Sequence, residues 1–72
     1  MIIKARLVFP EELIKEPIIY HLGKNFDIVY NILSANVDAK SGWVVLELDG
    51  ENDQIDKAIN WLSEKDIEVE IK

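Results

Sequence analysis

Cysteine is absent from this chain, and that absence removes disulfides, iron–sulfur ligation and thiolate chemistry at once. Histidine is nearly absent as well. One residue, His21, leaves a transition-metal site without its usual nitrogen and sulfur ligands, and no metal is expected. Basic residues are scarce: eight Lys and Arg stand against fourteen Asp and Glu, for a net charge of −6. Nucleic-acid binding leans on Lys and Arg that neutralise phosphates, so this balance argues against it. Long apolar runs are missing too. Trp43-Val44-Val45-Leu46 is among the longest, far short of the roughly 20 residues that cross a bilayer. The start, Met1-Ile2-Ile3-Lys4, enters a strand pattern at once and lacks a signal-peptide core. A cytoplasmic protein without membrane insertion is expected.

What is present suits a folded domain. The apolar fraction is 49% and the charged fraction 31%, a composition of globular rather than disordered chains. Seventy-two residues make a single domain, 1–72, near the lower limit for a self-sufficient core. Without disulfides or metal, regular packing and association remain as routes to extra stability.

Ile2 to Phe9 alternates as a strand, with Ile3, Ala5, Leu7 and Phe9 on one face and Ile2, Lys4, Arg6 and Val8 on the other. Pro10 stops it, and Glu11 to Glu16 reads as a connection with room for one helical turn. Pro17 suits a helix start, so a short helix is expected to about Lys24 with Ile18, Leu22 and Ile19 inward and Asn25 as terminator. A second strand spans Asp27 to Val37, a turn Asp38 to Gly42, and a third strand Trp43 to Asp49, together an antiparallel hairpin. Asn52 or Asp53 is the expected N-cap of the next helix. Its residues Ile55, Ala58, Ile59 and Leu62 fall at i, i+3, i+4 and i+7, one apolar stripe, with Trp61 flanking it and Lys65 in the last turn. A fourth strand, Ile67 to Ile71, turns Ile67, Val69 and Ile71 inward and Glu68 and Glu70 outward.

The second strand carries the most informative irregularity. Ile28, Tyr30 and Ile32 hold even positions, whereas Leu33, Ala35 and Val37 hold odd ones. Successive strand side chains point to opposite faces, so the apolar set changes sides at Asn31-Ile32-Leu33. A β-bulge does that, and bulges often re-aim a side chain at a binding site. A flat strand with apolar residues on both faces gives the same pattern. Asn31 at such a point offers an amide donor and acceptor together.

The order strand, helix, strand, strand, helix, strand assembles most simply as a ferredoxin-like βαββαβ sandwich in the α+β class. It has a four-stranded antiparallel sheet, order 4-1-3-2, and two helices on one face. In that order Lys4 and Arg6 lie between Glu68 and Glu70 on one side and Glu47 on the other, where opposite charges support the pairing. Ile2, Val8, Trp43 and Val45 share the uncovered face with them. Such apolar surface calls for a partner, and a second copy related by a two-fold axis is the simplest one. Scattered surface apolar residues are the alternative.

The fold hosts many functions, so function must come from sites. No Cys-x-x-Cys exists for a metal chaperone, and Phe9-Pro10-Glu11-Glu12 is an acidic loop that repels phosphate. An RNA-recognition sheet needs stacking aromatics on strands 1 and 3, yet strand 1 offers Lys4 and Arg6. His21 should face outward or sideways from its helix, with no Ser or Asp placed to act with it. Glu11, Glu12 and Glu16 read as a solvated loop rather than a hard-metal cluster. Nothing builds a nucleophile or an acid–base pair, so no enzyme and no cofactor are expected.

The run Asn31-Ile32-Leu33-Ser34-Ala35-Asn36-Val37 resembles the signature of the NIL domain, a family that takes its name from that tripeptide. Arg6-Leu7-Val8-Phe9 and Glu16-Pro17-Ile18-Ile19 look like its first half. Val44 to Gly50, Ala58 to Leu62 and Ile67 to Ile71 look like its second. The resemblance implies an architecture akin to amino-acid-binding regulatory (ACT-like) domains. The family is best known at the C-terminus of the ATPase subunit of bacterial methionine importers, where paired domains bind methionine and inhibit uptake. By that likeness Asn31 is the expected polar contact to a bound amino acid, with Ile32 and Leu33 beside it. A homodimer and a transporter partner are implied as well. Two departures stand out. This chain carries no ATPase, and its turn between strands 2 and 3 is shorter than in typical importer domains. If that hairpin closes the pocket, binding is weakened or lost. A second branch of the family joins the domain to iron–sulfur modules linked to homocysteine formation. It supplies the alternative: an interaction module of sulfur-amino-acid metabolism that docks to an iron–sulfur or biosynthetic protein and has no ligand of its own.

Overall fold

A computed structural model describes all residues from Met1 to Lys72. The chain runs through β1 (Ile2–Phe9), a 3-10 turn (Glu11–Leu13), α1 (Ile18–Asn25), β2 (Ile28–Val37), β3 (Gly42–Gly50), α2 (Asn52–Glu64) and β4 (Glu68–Ile71). The four strands form one antiparallel sheet in the order β2-β3-β1-β4, which read from its other edge is the expected 4-1-3-2. This is the ferredoxin-like arrangement.

Alternation in β1 and β3 decides where the core sits. Ala5, Leu7, Val44, Leu46 and Leu48 share one face of the sheet and are buried there. They meet Ile18 and Leu22 of α1, Ile55, Ala58 and Leu62 of α2, and Ile28 and Ile67, in a single cluster. Ile59 and Trp61 pack at its margin as half-buried residues, and the Trp61 ring stands edge-on to Phe26 at 5.8 Å. The expected apolar stripe of α2 is therefore the one that docks.

Three local expectations need correction. The N-cap of α2 is Glu51, not Asn52 or Asp53, and no side chain caps it. β3 runs to Gly50, and Glu51 is the extended residue after it, so Asn52 and Asp53 already lie inside the first turn. Lys65 lies one residue beyond the last turn. There it is the C-cap, and its Nζ stands 4.9 Å from the Trp61 ring centre. Ile71 was expected inward but is half exposed, because β4 is a short edge strand that ends there.

The end of α2 has a clear cause. Asp66 adopts a left-handed φ of 63°, its N–H donates to the Ser63 carbonyl, and the Ile67 N–H reaches back to Leu62. These two bonds satisfy carbonyls that the helix leaves free, in a Schellman arrangement. Buried Leu62 and Ile67 supply the apolar contact that accompanies it.

Candidate functional site

β2 contains a bulge where the parity argument places one. Tyr30 faces Leu48, Asn31 faces Glu47 and Ile32 faces Leu46, then the register shifts, and Ser34 faces Val45 and Ala35 faces Val44. Leu33 is the extra residue, with no partner on β3. Ile28, Tyr30 and Ile32 before the bulge, and Ala35 and Val37 after it, therefore lie on the helix side of the sheet.

The same pairing separates the tripeptide. Asn31 shares the open face with its neighbour Glu47, whereas Ile32 lies with Leu46 on the helix side. All three residues are exposed, and the Asn31 amide makes no hydrogen bond within the chain. None of them lines a cavity of the single chain. Asn31 and Ile32 meet only at the free edge of the strand, where a bound group can span both faces.

That edge is unusual. β2 ends the sheet, so its outer row of N–H and C=O groups has no partner in the chain. Proteins normally blunt such edges with charge, Pro or very short strands. Ile28 to Val37 is ten residues long and contains no Asp, Glu, Lys, Arg or Pro. It exposes Val29 at 71%, Ile32 at 52% and Val37 at 53%, with Leu33 and Tyr30 less so. Only the bulge interrupts it.

The open face of the sheet is less apolar than its sequence suggests. Val8 faces Trp43 directly, and Val45 follows along β3, so these three half-buried residues form one cluster. Ile2 is exposed, but it lies six residues from Val8 along β1, about 20 Å away at strand rise. Lys4, Arg6 and Glu47 lie between. Cross-strand neighbours are nearly those expected, with Lys4 opposite Glu47 and Arg6 opposite Glu70, but Glu68 falls opposite Val8. The expected ion pairs do not close. The Arg6 guanidinium instead lies over the Trp43 ring at 5.4 Å, a cation–π contact that keeps its charge in water while covering apolar surface. The two ion pairs that do form lie at the chain ends, Met1 with Asp49 at 4.0 Å and Lys72 with Glu70 at 3.1 Å.

Sequence reasoning missed a cleft of about 200 Å³ at one end of the helix side. Phe9, Leu13, Ile14, Pro17, Ile18 and Ile19 approach it from the β1–α1 connection, and Val37 and Val44 from the hairpin. Its polar lining consists of Glu16 and Tyr20. The connection lies close against the start of β3 there, since a Cβ on Gly42 would stand 2.9 Å from the Ile14 Cδ1 atom. Leu13-Ile14, an apolar pair set among Glu11, Glu12, Lys15 and Glu16, was the available signal. His21 stands edge-on to Tyr20 at 5.2 Å on the outer side of α1, and Glu11, Glu12 and Glu16 do not converge on a metal-sized point.

The hairpin turn is held by Asp38. One of its carboxylate oxygens, Oδ1, accepts the N–H groups of Lys40 and Ser41, each at 2.8 Å. These two bonds, Lys40 first, hold the Asp38 carboxyl below its ordinary value. No helix is long and apolar enough to cross a membrane.

With this geometry in hand, the chain can be set beside known proteins. The sequence profile of the NIL domain matches residues 4–71. The methionine import ATP-binding protein MetN of Halalkalibacterium halodurans is 31% identical over 71 residues, covering 93% of this chain and 21% of that protein. Its namesake from Helicobacter hepaticus is 34% identical over 58 residues, covering 75% of this chain and 16% of that protein. This chain thus spans about a fifth of the length of these relatives. The crystal structure of the C-terminal domain of an ABC transporter ATP-binding protein from Enterococcus faecalis superposes with a TM-score of 0.82 at 29% identity. That superposition covers 96% of this chain and 81% of the other.

Proposed function

The chain belongs to the NIL domain family, and from that membership we propose that it is a small cytoplasmic regulatory domain. It binds a sulfur amino acid, L-methionine or a relative, at the interface of a homodimer and modulates a partner such as an ABC transporter. The observation that carries this reading is the bulged, charge-free edge at Asn31-Ile32-Leu33, in a chain similar to part of methionine import ATP-binding proteins. A zwitterionic amino acid needs a few placed amides, and a thioether tail needs an apolar wall. Asn31 offers the amide; Ile32 and Leu33, with a second copy, supply the wall.

We place the second copy along β2 rather than on the open face. A molecule of net charge −6 repels its own copy, and β2 is the long surface where that repulsion is locally absent. Two β2 edges joined by a two-fold axis pair antiparallel, extend the sheet, and bury Val29, Ile32 and Val37 of both copies. A seam through Ile2, Val8, Trp43 and Val45 also has to cover Glu47, Glu68 and Glu70 beside Lys4 and Arg6, charges that the β2 edge lacks. Edge pairing brings the Asn31 side chain beside the seam, and the bulge breaks the backbone pairing there, leaving space for a ligand.

Thermal unfolding tests the ligand. Saturation at one hundred times the dissociation constant adds about 2.7 kcal/mol to the native state. For a domain of this size that is a rise of roughly 10–20 °C. Asn31→Ala removes the rise with L-methionine while leaving the unliganded melting temperature nearly unchanged. A rise that persists in Asn31→Ala overturns the assignment of Asn31. No rise with methionine, homocysteine or S-adenosylmethionine favours the second reading, an interaction module of sulfur-amino-acid metabolism that docks an iron–sulfur or biosynthetic partner along the free β2 edge. The separation of Asn31 and Ile32 onto opposite faces supports that alternative. We propose a regulatory role without catalysis, a reading that rests on the sequence, in which no Ser or Asp is placed to act with His21.

A further inference from the structure

The hydrogen-bond parity of β2 restricts how two copies can meet, and the inference drawn from it rests on the β2 seam proposed above. The Asp38 N–H donates to the Ser41 carbonyl, so Asp38 turns its backbone toward β3. Residues alternate from there: Asn36 and Ser34 also bond inward, whereas Val37 and Ala35 turn their groups to the free edge. The far end of β3 agrees, because the Gly50 N–H donates to the Met1 carbonyl, on the β1 side. The extra residue Leu33 resets the parity, so Asn31 and Val29 bond inward while Ile32 and Tyr30 present free groups.

A two-fold seam needs free groups opposite free groups. Setting Ile32 opposite Ala35 of the second copy also sets Tyr30 opposite its Val37, and the extra residues of the two strands then fall at the same place. Leu33 and Ser34 of each copy flank the axis. Sliding one copy by a single residue sets free groups against engaged ones. Sliding it by two brings Ile32 against Leu33, or Ala35 against Ser34. Registers that avoid the bulge pair only one half of the strand.

In the favoured register Asn31 of one copy lies beside Asn36 of the other on the open face. It is a non-hydrogen-bonded pair, the kind with the closest Cα atoms, about 4.5 Å apart. We propose that the copies meet in this register and that Asn31 of one with Asn36 of the other forms the amide pair that holds the amino acid. Both residues are exposed, and neither amide is hydrogen-bonded within the single chain. Glu47 flanks Asn31 on its other side and closes no ion pair with Lys4. The α-carboxylate takes the two amide NH2 groups, and the α-ammonium is accepted by Glu47 and an amide oxygen. The tail runs to the gap at the axis, where Leu33 of each copy is exposed.

Engineered cysteines read the register directly, since the chain has none of its own. Under mild oxidation the double variant Asn31→Cys, Asn36→Cys should form a covalent dimer, and neither single variant should. A covalent dimer from Asn31→Cys alone, or from Asn36→Cys alone, puts the axis at that residue and overturns the register. Asn36→Ala should weaken L-methionine binding about tenfold or more in calorimetry, while sedimentation shows the dimer retained. Unchanged affinity, or a parent dimer that takes up no methionine, overturns the amide pair as the binding group. A parent dimer whose double variant does not cross-link overturns the register and leaves the seam standing. A parent chain that stays monomeric at every concentration removes the seam, and this proposal with it.

Discussion

Replacing Ile32 with lysine is the sharpest test of the β2 seam, because its local and global effects oppose each other. Ile32 lies on the helix side of β2 opposite Leu46 and is 52% exposed. Complete burial of such a side chain is worth about 1.5–3 kcal/mol, so covering its exposed half contributes about 1 kcal/mol. A two-fold seam counts it twice, giving about 2 kcal/mol, or roughly a 30-fold change in the dimer dissociation constant. Lysine also makes each chain one unit less negative than −6, which eases long-range repulsion between copies. A weaker dimer in spite of that easing must come from the edge itself. Sedimentation equilibrium at several loading concentrations measures the constant. The folded monomer loses the packing of a half-buried Ile, about 1 kcal/mol, which lowers the melting temperature by roughly 4–8 °C. An unchanged dissociation constant in Ile32→Lys refutes the seam. If Trp43→Glu then dissociates the dimer, the open face is the interface. A parent chain that stays monomeric at high concentration refutes both.

Two further perturbations follow from the backbone and the hairpin turn. Asp66 holds a left-handed φ that glycine adopts without strain, so Asp66→Gly should stabilise the fold by up to about 1 kcal/mol, read as a rise in urea midpoint at constant slope; a fall means the Asp side chain contributes more than its backbone costs. The Asp38 carboxyl is held below its ordinary 3.8 by the N–H groups of Lys40 and Ser41. A depressed folded value means that the turn's contribution is complete above about pH 4 and is lost as pH falls through that lower value. The Lys40 and Ser41 amide shifts should titrate together with a midpoint below 3.8; a midpoint at or above it contradicts the bonding seen in the turn.

Much of this fold is legible because burial imposes a period. In β1 and β3 every second residue enters the core, and in α2 Ile55, Ala58 and Leu62 do the same at helical spacing. The bulge is legible for the same reason. Shifting a strand by one residue moves its whole apolar set to the other face, so the switch from Ile32 to Ala35 had to be absorbed by one unpaired residue. Where no burial acts, the pattern says less. Lys4 and Arg6 were expected to pair with carboxylates, and the cross-strand positions largely suit that, but exposed ion pairs gain little and Arg6 settles on the Trp43 ring instead. The cap of α2 was misplaced by one or two residues because β3 keeps its ladder through Gly50, a tertiary constraint invisible in local composition.

The tripeptide and the cleft differ in the same way. Asn31, Ile32 and Leu33 are contiguous, so a sequence signature can mark them, yet contiguity along a strand places neighbours on opposite faces. A ligand that uses Asn31 and Ile32 together must therefore sit at the strand's free edge, and in a single chain that edge is open to water. Site and dimer are one hypothesis for this reason. An amino acid held there is enclosed only when another β edge arrives, and by linkage a ligand bound only by the pair tightens the pair. The cleft at Ile14 and Val37 is the reverse case. Its walls come from residues that are far apart in sequence, so no local motif announces it, and Val37 brings it to the end of the proposed β2 seam. Dilution should therefore weaken methionine binding, and a methionine affinity independent of protein concentration below the dimer dissociation constant removes the pairing from the mechanism.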